Sequence, residues 1–242
     1  MSDKKQAVVT GANKGIGFEI ARQLLGQGFV VWIGARDPER GEAAAKLLRD
    51  EGGDARFLRL DVTSDESVAQ AVQAVGAQTN RVDVLVNNAG IAVGSRTIPS
   101  ETSIEDFIAT YDVNVFGVFR VTKAFLPLLR AAPAARIVMM SSDLGSLAKR
   151  LDPTEPTYPV NVGAYNSSKS ALNGLTIALA KELADTGIKV NAANPGYTAT
   201  DLNDNQGPKS PQDAARVAIY LATLPDDGPT AGFFNDTGRE PW

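Results

Sequence analysis

Apolar residues fall in two rhythms along this chain. Short, nearly continuous runs, QAVVT (6–10), VVWIGA (30–35), RFLRL (56–60), VDVLVNN (82–88), RIVMMSS (136–142) and IKVNAANP (188–195), alternate with longer helical patterns. The longer segments are IGFEIARQLLGQG (16–28), RGEAAAKLLRDEG (40–52), DESVAQAVQAVGAQ (65–78), the stretch from Ile104 to Arg130, AYNSSKSALNGLTIALAKELAD (164–185) and PQDAARVAIYLATL (211–224). The first rhythm suits strands and the second amphipathic helices. Strand and helix in alternation predict a parallel sheet covered by helices on both faces, a doubly wound α/β architecture. Runs such as VDVLV and RIVMM, apolar at successive positions, fit burial on both sides of that sheet.

No repeat, low-complexity tract or Pro/Gly/Ser-rich linker divides the chain, so residues 1–242 are expected to form one domain. Two long stretches, Gly145 to Val162 and Thr198 to Ser210, read as irregular, and both follow strands. Ligands of open α/β sheets bind beyond the carboxyl ends of the strands, so loops there are expected to shape a site. The alternative is plain surface insertion.

Composition narrows the chemistry. At 25.5 kDa, 43% hydrophobic and 21% charged, the chain is that of an ordinary globular protein. A net charge of -4 and the lack of a basic run argue against a nucleic-acid partner. There is no cysteine and no histidine, which removes disulfides, thiolate nucleophiles and the commonest metal ligand, so no metal site is expected. A polar start running straight into a strand, and no apolar run of spanning length, predict a cytoplasmic protein without a membrane partner.

The turn TGANKGIG joins the first strand to the first helix and holds Gly11, Gly15 and Gly17. Its G-x-x-x-G-x-G spacing meets the needs of a dinucleotide turn: a tight bend, close backbone approach, and helix-start amides facing a pyrophosphate. No Gly-Lys-Ser/Thr follows at the Walker A spacing. About twenty residues on, where an acid would accept from a ribose 2'-hydroxyl, the second strand ends in Gly34, Ala35 and Arg36. A guanidinium matches a phosphate, so Arg36, helped by Lys14, points to a 2'-phosphate and hence to NADP(H).

Without histidine, proton transfer near neutral pH needs another group. Tyr165 and Lys169 stand at i and i+4 on a predicted helix, so they share a face, and a nearby ammonium is expected to lower the phenol pKa and make it a usable acid. Ser142, just after the strand RIVMMS, is placed to hydrogen-bond a substrate carbonyl.

TGANKGIG, LDVT (60–63), NNAG (87–90), Asn114 in YDVNVFG, Ser142 in MMSSDLG, Tyr165-x-x-x-Lys169 and Asn194-Pro195-Gly196 together resemble the short-chain dehydrogenase/reductases over nearly the whole chain. Within that family the resemblance is nearest to NADPH-dependent carbonyl reductases, with a Rossmann-like fold. It implies a catalytic set of Asn114, Ser142, Tyr165 and Lys169, with Asn114 anchoring a water that connects the lysine to solvent and Lys169 also holding the nicotinamide ribose. It places Asp61 near the adenine, Asn88 and Gly90 beside the cofactor, and Thr198 and Thr200 near the carboxamide; Asn13, Ile16, Val62, Ala89, Pro195 and Gly196 complete the cofactor set.

The implied activity is reversible NADPH-dependent reduction of an aldehyde or ketone; the alternative is a non-catalytic NADP-binding redox sensor on the same fold. Ile91, Val93, Leu144, Tyr158, Tyr197 and Leu202 are candidates for an apolar substrate pocket. The chain departs from the compact family pattern between Ser142 and Tyr165, where LDPTEPTYPV (151–160) reads as an insertion. If this segment covers the helices through which many relatives associate, the protein is a monomer; if it points to the site mouth, a dimer or tetramer is open to it.

Overall fold

The structure, a computed structural model, describes residues 4–94 and 97–242. Its strands are β1 (Gln6–Thr10), β2 (Val30–Ala35), β3 (Asp54–Arg59), β4 (Val84–Asn87), β5 (Arg136–Met140), β6 (Lys189–Ala193), β7 (Phe233–Asn235) and β8 (Gly238–Glu240). They form one sheet in the order β3-β2-β1-β4-β5-β6-β7-β8, parallel up to β7, with β8 antiparallel to it. The longer helices are α1 (Gly15–Gly26), α2 (Pro38–Asp50), α3 (Asp65–Gly76), α4 (Ile104–Tyr111) and α5 (Val118–Arg130); after the short α6 (Leu147–Leu151) come α7 (Gly163–Glu182) and α8 (Pro211–Ala222).

The continuous apolar strands are shared between two cores, one on each face. Ala7, Val9, Val31, Ile33, Val84, Val86, Val138 and Met140 belong to the core with α1, α2 and α8. Their neighbours Val8, Trp32, Leu85, Ile137 and Met139 turn to the core with α3, α5 and α7. Alternation of side chains along a strand therefore requires apolar residues at successive positions here, since neither face meets water.

Five helices start on side-chain caps among the described residues: Asp37, Ser64, Ser103, Ser146 and Ser210 accept the backbone N–H of Arg40, Ser67, Asp106, Lys149 and Asp213. At α1 the N-cap is Lys14, which supplies no such bond, so the first-turn N–H groups are left without a side-chain acceptor.

Three expectations change. The run from Ile104 to Arg130 is interrupted by a π-helical stretch, Asp112–Gly117, between α4 and α5, and Asn114 lies within it. The Gly145 to Val162 stretch contains α6. The C-terminal hairpin β7–β8 extends the sheet and ends its all-parallel character, because three-residue strands are too short to show a period.

The 151–160 segment is tied to α6, the C-terminal hairpin and the start of α7. Arg150 donates to the carbonyls of Thr157 and Tyr158, Lys149 pairs with Glu155 and Glu240, and Asn166 donates to Val160 O. Ile104, Ile108, Phe116 and Phe119 remain exposed. The 151–160 segment therefore leaves these four side chains of the 104–130 stretch uncovered.

Candidate active site

The strand order reverses at β1, which lies between β2 and β4, and ligands of such sheets bind at that switch point. Thr10, the last residue of β1, uses its Oγ1 to accept the N–H groups of both Asn88 and Ala89 at 2.9 Å. Asn88 answers by donating Nδ2 to Thr10 O (2.9 Å) and Gly11 O (3.1 Å). The glycine turn and the NNAG loop are thus stitched together. Gly11 sits at φ +62°, and a Cβ on Gly17 would lie 2.5 Å from Gly11 O and against Asn88 Nδ2. Close approach, more than flexibility, selects glycine at position 17.

The other predicted residues also lie beyond strand ends. Arg36 follows β2 and is exposed; Asp61 and Val62 follow β3; Asn88, Ala89 and Gly90 follow β4; Pro195, Gly196, Thr198 and Thr200 follow β6. Burial works against charge on Asp61, but the Thr63 hydroxyl (2.7 Å) and N–H (3.0 Å) outweigh it and, with Arg36 and Arg120 nearby, hold its carboxyl below the ordinary range. Asn13, Lys14, Gly15 and Ile16 fill the turn and the start of α1. Lys14 pairs with Asp201 at 2.5 Å, so the loop after β6 reaches the glycine turn, where Thr200 also comes within 3.6 Å of the space a Cβ on Gly15 would fill.

The catalytic candidates converge. A Cβ placed on Gly90 would stand 3.4 Å from Asn114 Oδ1 and 3.6 Å from Lys169 Nζ. Asn114 is fully buried: Oδ1 accepts Ile91 N, and Nδ2 donates to Ile91 O, each at 2.9 Å, and to Ser168 Oγ at 3.0 Å. Ser168 in turn donates to Tyr165 O at 2.7 Å, linking the π-helical turn to the first turn of α7.

The Ser142 side chain, which donates to Asp143 Oδ1 at 3.1 Å, stands near enough to the Tyr165 phenol to favour its ionised form. Tyr165 is half-buried, and desolvation of its phenol raises the pKa to about 12, with Ser142 opposing the rise and Asp143 adding to it. Burial pushes Lys169 the other way, to about 8. The expected lowering of the phenol by the lysine is therefore not what this arrangement produces: desolvation dominates both groups.

Sequence reasoning missed Thr10, Ser168 and Asp201. Thr10 was legible as the residue closing the first strand, whereas nothing local distinguishes Ser168 or Asp201 from surface serines and aspartates. Of the pocket candidates, Val93, Tyr158, Tyr197 and Leu202 are exposed. A groove of about 580 Å³ beside α3 and α5, lined by residues including Val68, Phe116, Phe119 and Pro127, contains none of the predicted site residues. No group of three or more acidic residues fit to hold a metal ion occurs among the described residues, nor any helix long and apolar enough to cross a membrane.

The glycine turn stitched to the NNAG loop and the uncapped start of α1 fit a dinucleotide. Residues 5–211 match the family model for short chain dehydrogenase. Mouse (Mus musculus) carbonyl reductase [NADPH] 1 is 34% identical over 100% of this chain and 99% of its own. The (-)-isopiperitenone reductase of Mentha piperita is 33% identical, covering 96% of each protein. The crystal structure of NADPH-bound carbonyl reductase from chicken fatty liver superposes with a TM-score of 0.87 at 26% identity, over 99% of both chains.

Proposed function

The chain belongs to the short-chain dehydrogenase family, and on that premise we propose that it is an NADPH-dependent reductase of aldehydes or ketones with Tyr165 as proton donor. The observation that carries this reading is the buried Lys169 ammonium held 5.5 Å from the Tyr165 ring centroid at the end of β5, with Ser142 acting on the same phenol. The relatives that reduce carbonyl compounds with NADPH support the same class.

NADPH supplies the hydride when bound. The glycine turn and the start of α1 would hold its pyrophosphate, Arg36 and Lys14 its 2'-phosphate, and the segment 195–200 its nicotinamide end. Ser142 donates a hydrogen bond to the substrate carbonyl and steadies the developing alkoxide. Tyr165, held protonated by burial, gives its proton to that oxygen. Lys169 places positive charge beside the phenol and binds ribose hydroxyls. Asn114 holds the turn through Ile91 and Ser168; both Nδ2 protons are engaged in that work, which leaves Oδ1 as the atom able to accept from a water.

The test is NADPH oxidation with a panel of carbonyl compounds, wild type against Tyr165→Phe. Turnover lost in the variant with NADPH binding retained supports the reading. NADPH binding with no turnover of any carbonyl compound by the wild type favours the redox sensor instead.

A further inference from the structure

The buried carboxylate of Glu240 takes no part in the reaction proposed above. It lies on β8, beyond the residues matched by the family model, and only 4% of its side chain is exposed. Both oxygens are engaged. Oε1 accepts from Lys149 Nζ at 2.7 Å and from Asn235 Nδ2 at 2.9 Å; Oε2 accepts from Asn194 Nδ2 at 2.9 Å.

These donors come from different parts of the site's surroundings. Lys149 belongs to α6, in the segment that leaves Ser142 and returns to Tyr165. Asn194 opens the turn through Pro195 and Gly196, and its Oδ1 accepts the N–H of Gly196 at 3.0 Å. Asn235 belongs to the same hairpin as Glu240. The residues after Glu240 reinforce the α6 side: Pro241 O accepts from Ser146 Oγ at 2.9 Å, and Trp242 O from Ala148 N at 3.0 Å. Trp242 stacks on Phe233 with centroids 5.6 Å apart, which pins the tail to the sheet.

All three partners are donors, so the position calls for a group that only accepts. A glutamine would turn its NH₂ toward at least one of them, and an aspartate is a methylene too short to span both sides. A buried carboxylate is retained at low cost only when it is fully paired, as it is here. Burial opposes the charge on Lys149, but Glu240 outweighs it and holds the ammonium above its ordinary range.

We infer that Glu240 is a positioning residue: it fixes the 146–160 segment against the Asn194–Gly196 turn and so governs which carbonyl compounds fit beside Ser142 and Tyr165. The selectivity half of this statement rests on the carbonyl-reductase reading; the positioning half does not.

Amide hydrogen exchange and kinetics on the full chain test the two halves. In Glu240→Gln, exchange should accelerate roughly ten-fold or more in residues 146–160 and 194–198, the size of a lost hydrogen bond to a charged group, with β1, β4 and β5 unchanged. In Lys149→Met, which leaves the two asparagine contacts in place, only the first segment should accelerate. Because Lys149→Met leaves the buried carboxylate without its cation, the double variant Lys149→Met/Glu240→Gln, which removes both charges and should accelerate both segments, carries the test if either single variant does not fold. With NADPH and ketones of graded bulk, Lys149→Met should change the ratio of kcat/KM between compact and bulky substrates several-fold while leaving the Kd for NADPH unchanged. Unchanged exchange in both segments overturns the positioning role, whether or not any ketone is reduced. Accelerated exchange with an unchanged substrate ratio overturns the selectivity role. Failure of the wild type to reduce any ketone overturns the carbonyl reading and leaves the exchange result to decide the role of Glu240.

Discussion

Lys169 Nζ stands 5.5 Å from the centroid of the Tyr165 ring and donates to Met140 O at 2.8 Å, so the ammonium faces the π surface of the phenol. The i, i+4 spacing brings the two side chains together, but the hydrogen bond of the lysine goes to the end of β5. Desolvation then separates their pKa values from the ordinary ones, to about 12 for the phenol and about 8 for the ammonium.

A phenol with a raised pKa is protonated throughout the neutral range and ready to give its proton, whereas alcohol oxidation needs it as phenolate. Ketone reduction should therefore proceed near neutral pH, while the reverse oxidation should climb as the pH is taken toward 10. Tyr165→Phe should lower reduction by about 10²-fold or more. Initial rates in both directions against pH check this; an oxidation rate independent of pH contradicts it.

Lys169 binds a proton less readily in the folded protein than in the unfolded chain, whose lysine keeps a pKa near 10.5. The unfolded state holds more protons between about 8 and 10.5, so the penalty for burying the ammonium is full below pH 8 and fades as the pH rises through that window. Lys169→Met should stabilise the protein at pH 7, by on the order of 3 kcal/mol at most, and by much less at pH 10. Denaturant unfolding at the two pH values measures the difference; equal effects at both would contradict the burial argument. The same variant should lose turnover.

Arg36 is exposed and makes no ion pair with a carboxylate among the described residues, with Asp61 its electrostatic neighbour. Arg36→Ala should weaken NADPH roughly ten-fold or more, the scale of a lost charge-assisted phosphate contact, with little change for NADH. Titration with each cofactor decides, and equal loss for both removes the 2'-phosphate assignment. An acid introduced at Ala35 is a poor converse test, because Ala35 is buried and already close to the space above Gly41.

Gly17→Ala should abolish dinucleotide binding and destabilise the fold by about 1–3 kcal/mol, because the added methyl meets the fixed backbone oxygen of Gly11 at 2.5 Å. Calorimetric titration with NADPH together with thermal unfolding reads both effects. Unaltered affinity would show that the turn does not hold the dinucleotide.

The sequence by itself determined the alternation of strands and helices, the doubly wound class and the identity of the residues beyond the strand ends. These are local properties: apolar period, glycine placement and the i, i+4 pairing of Tyr165 with Lys169 are set by residues near one another in the chain. Tertiary structure decided the rest. Asn114 becomes part of the site because a π-helical turn aims its amide at Ile91 and Ser168, residues 23 and 54 positions away. The phenol is raised because burial is a property of the surrounding fold, and no spacing rule measures desolvation. Lys14, read as a phosphate ligand, meets Asp201 from a loop 187 residues on. Glu240 meets Lys149 across 91 residues, on a strand of three residues that shows no period of its own.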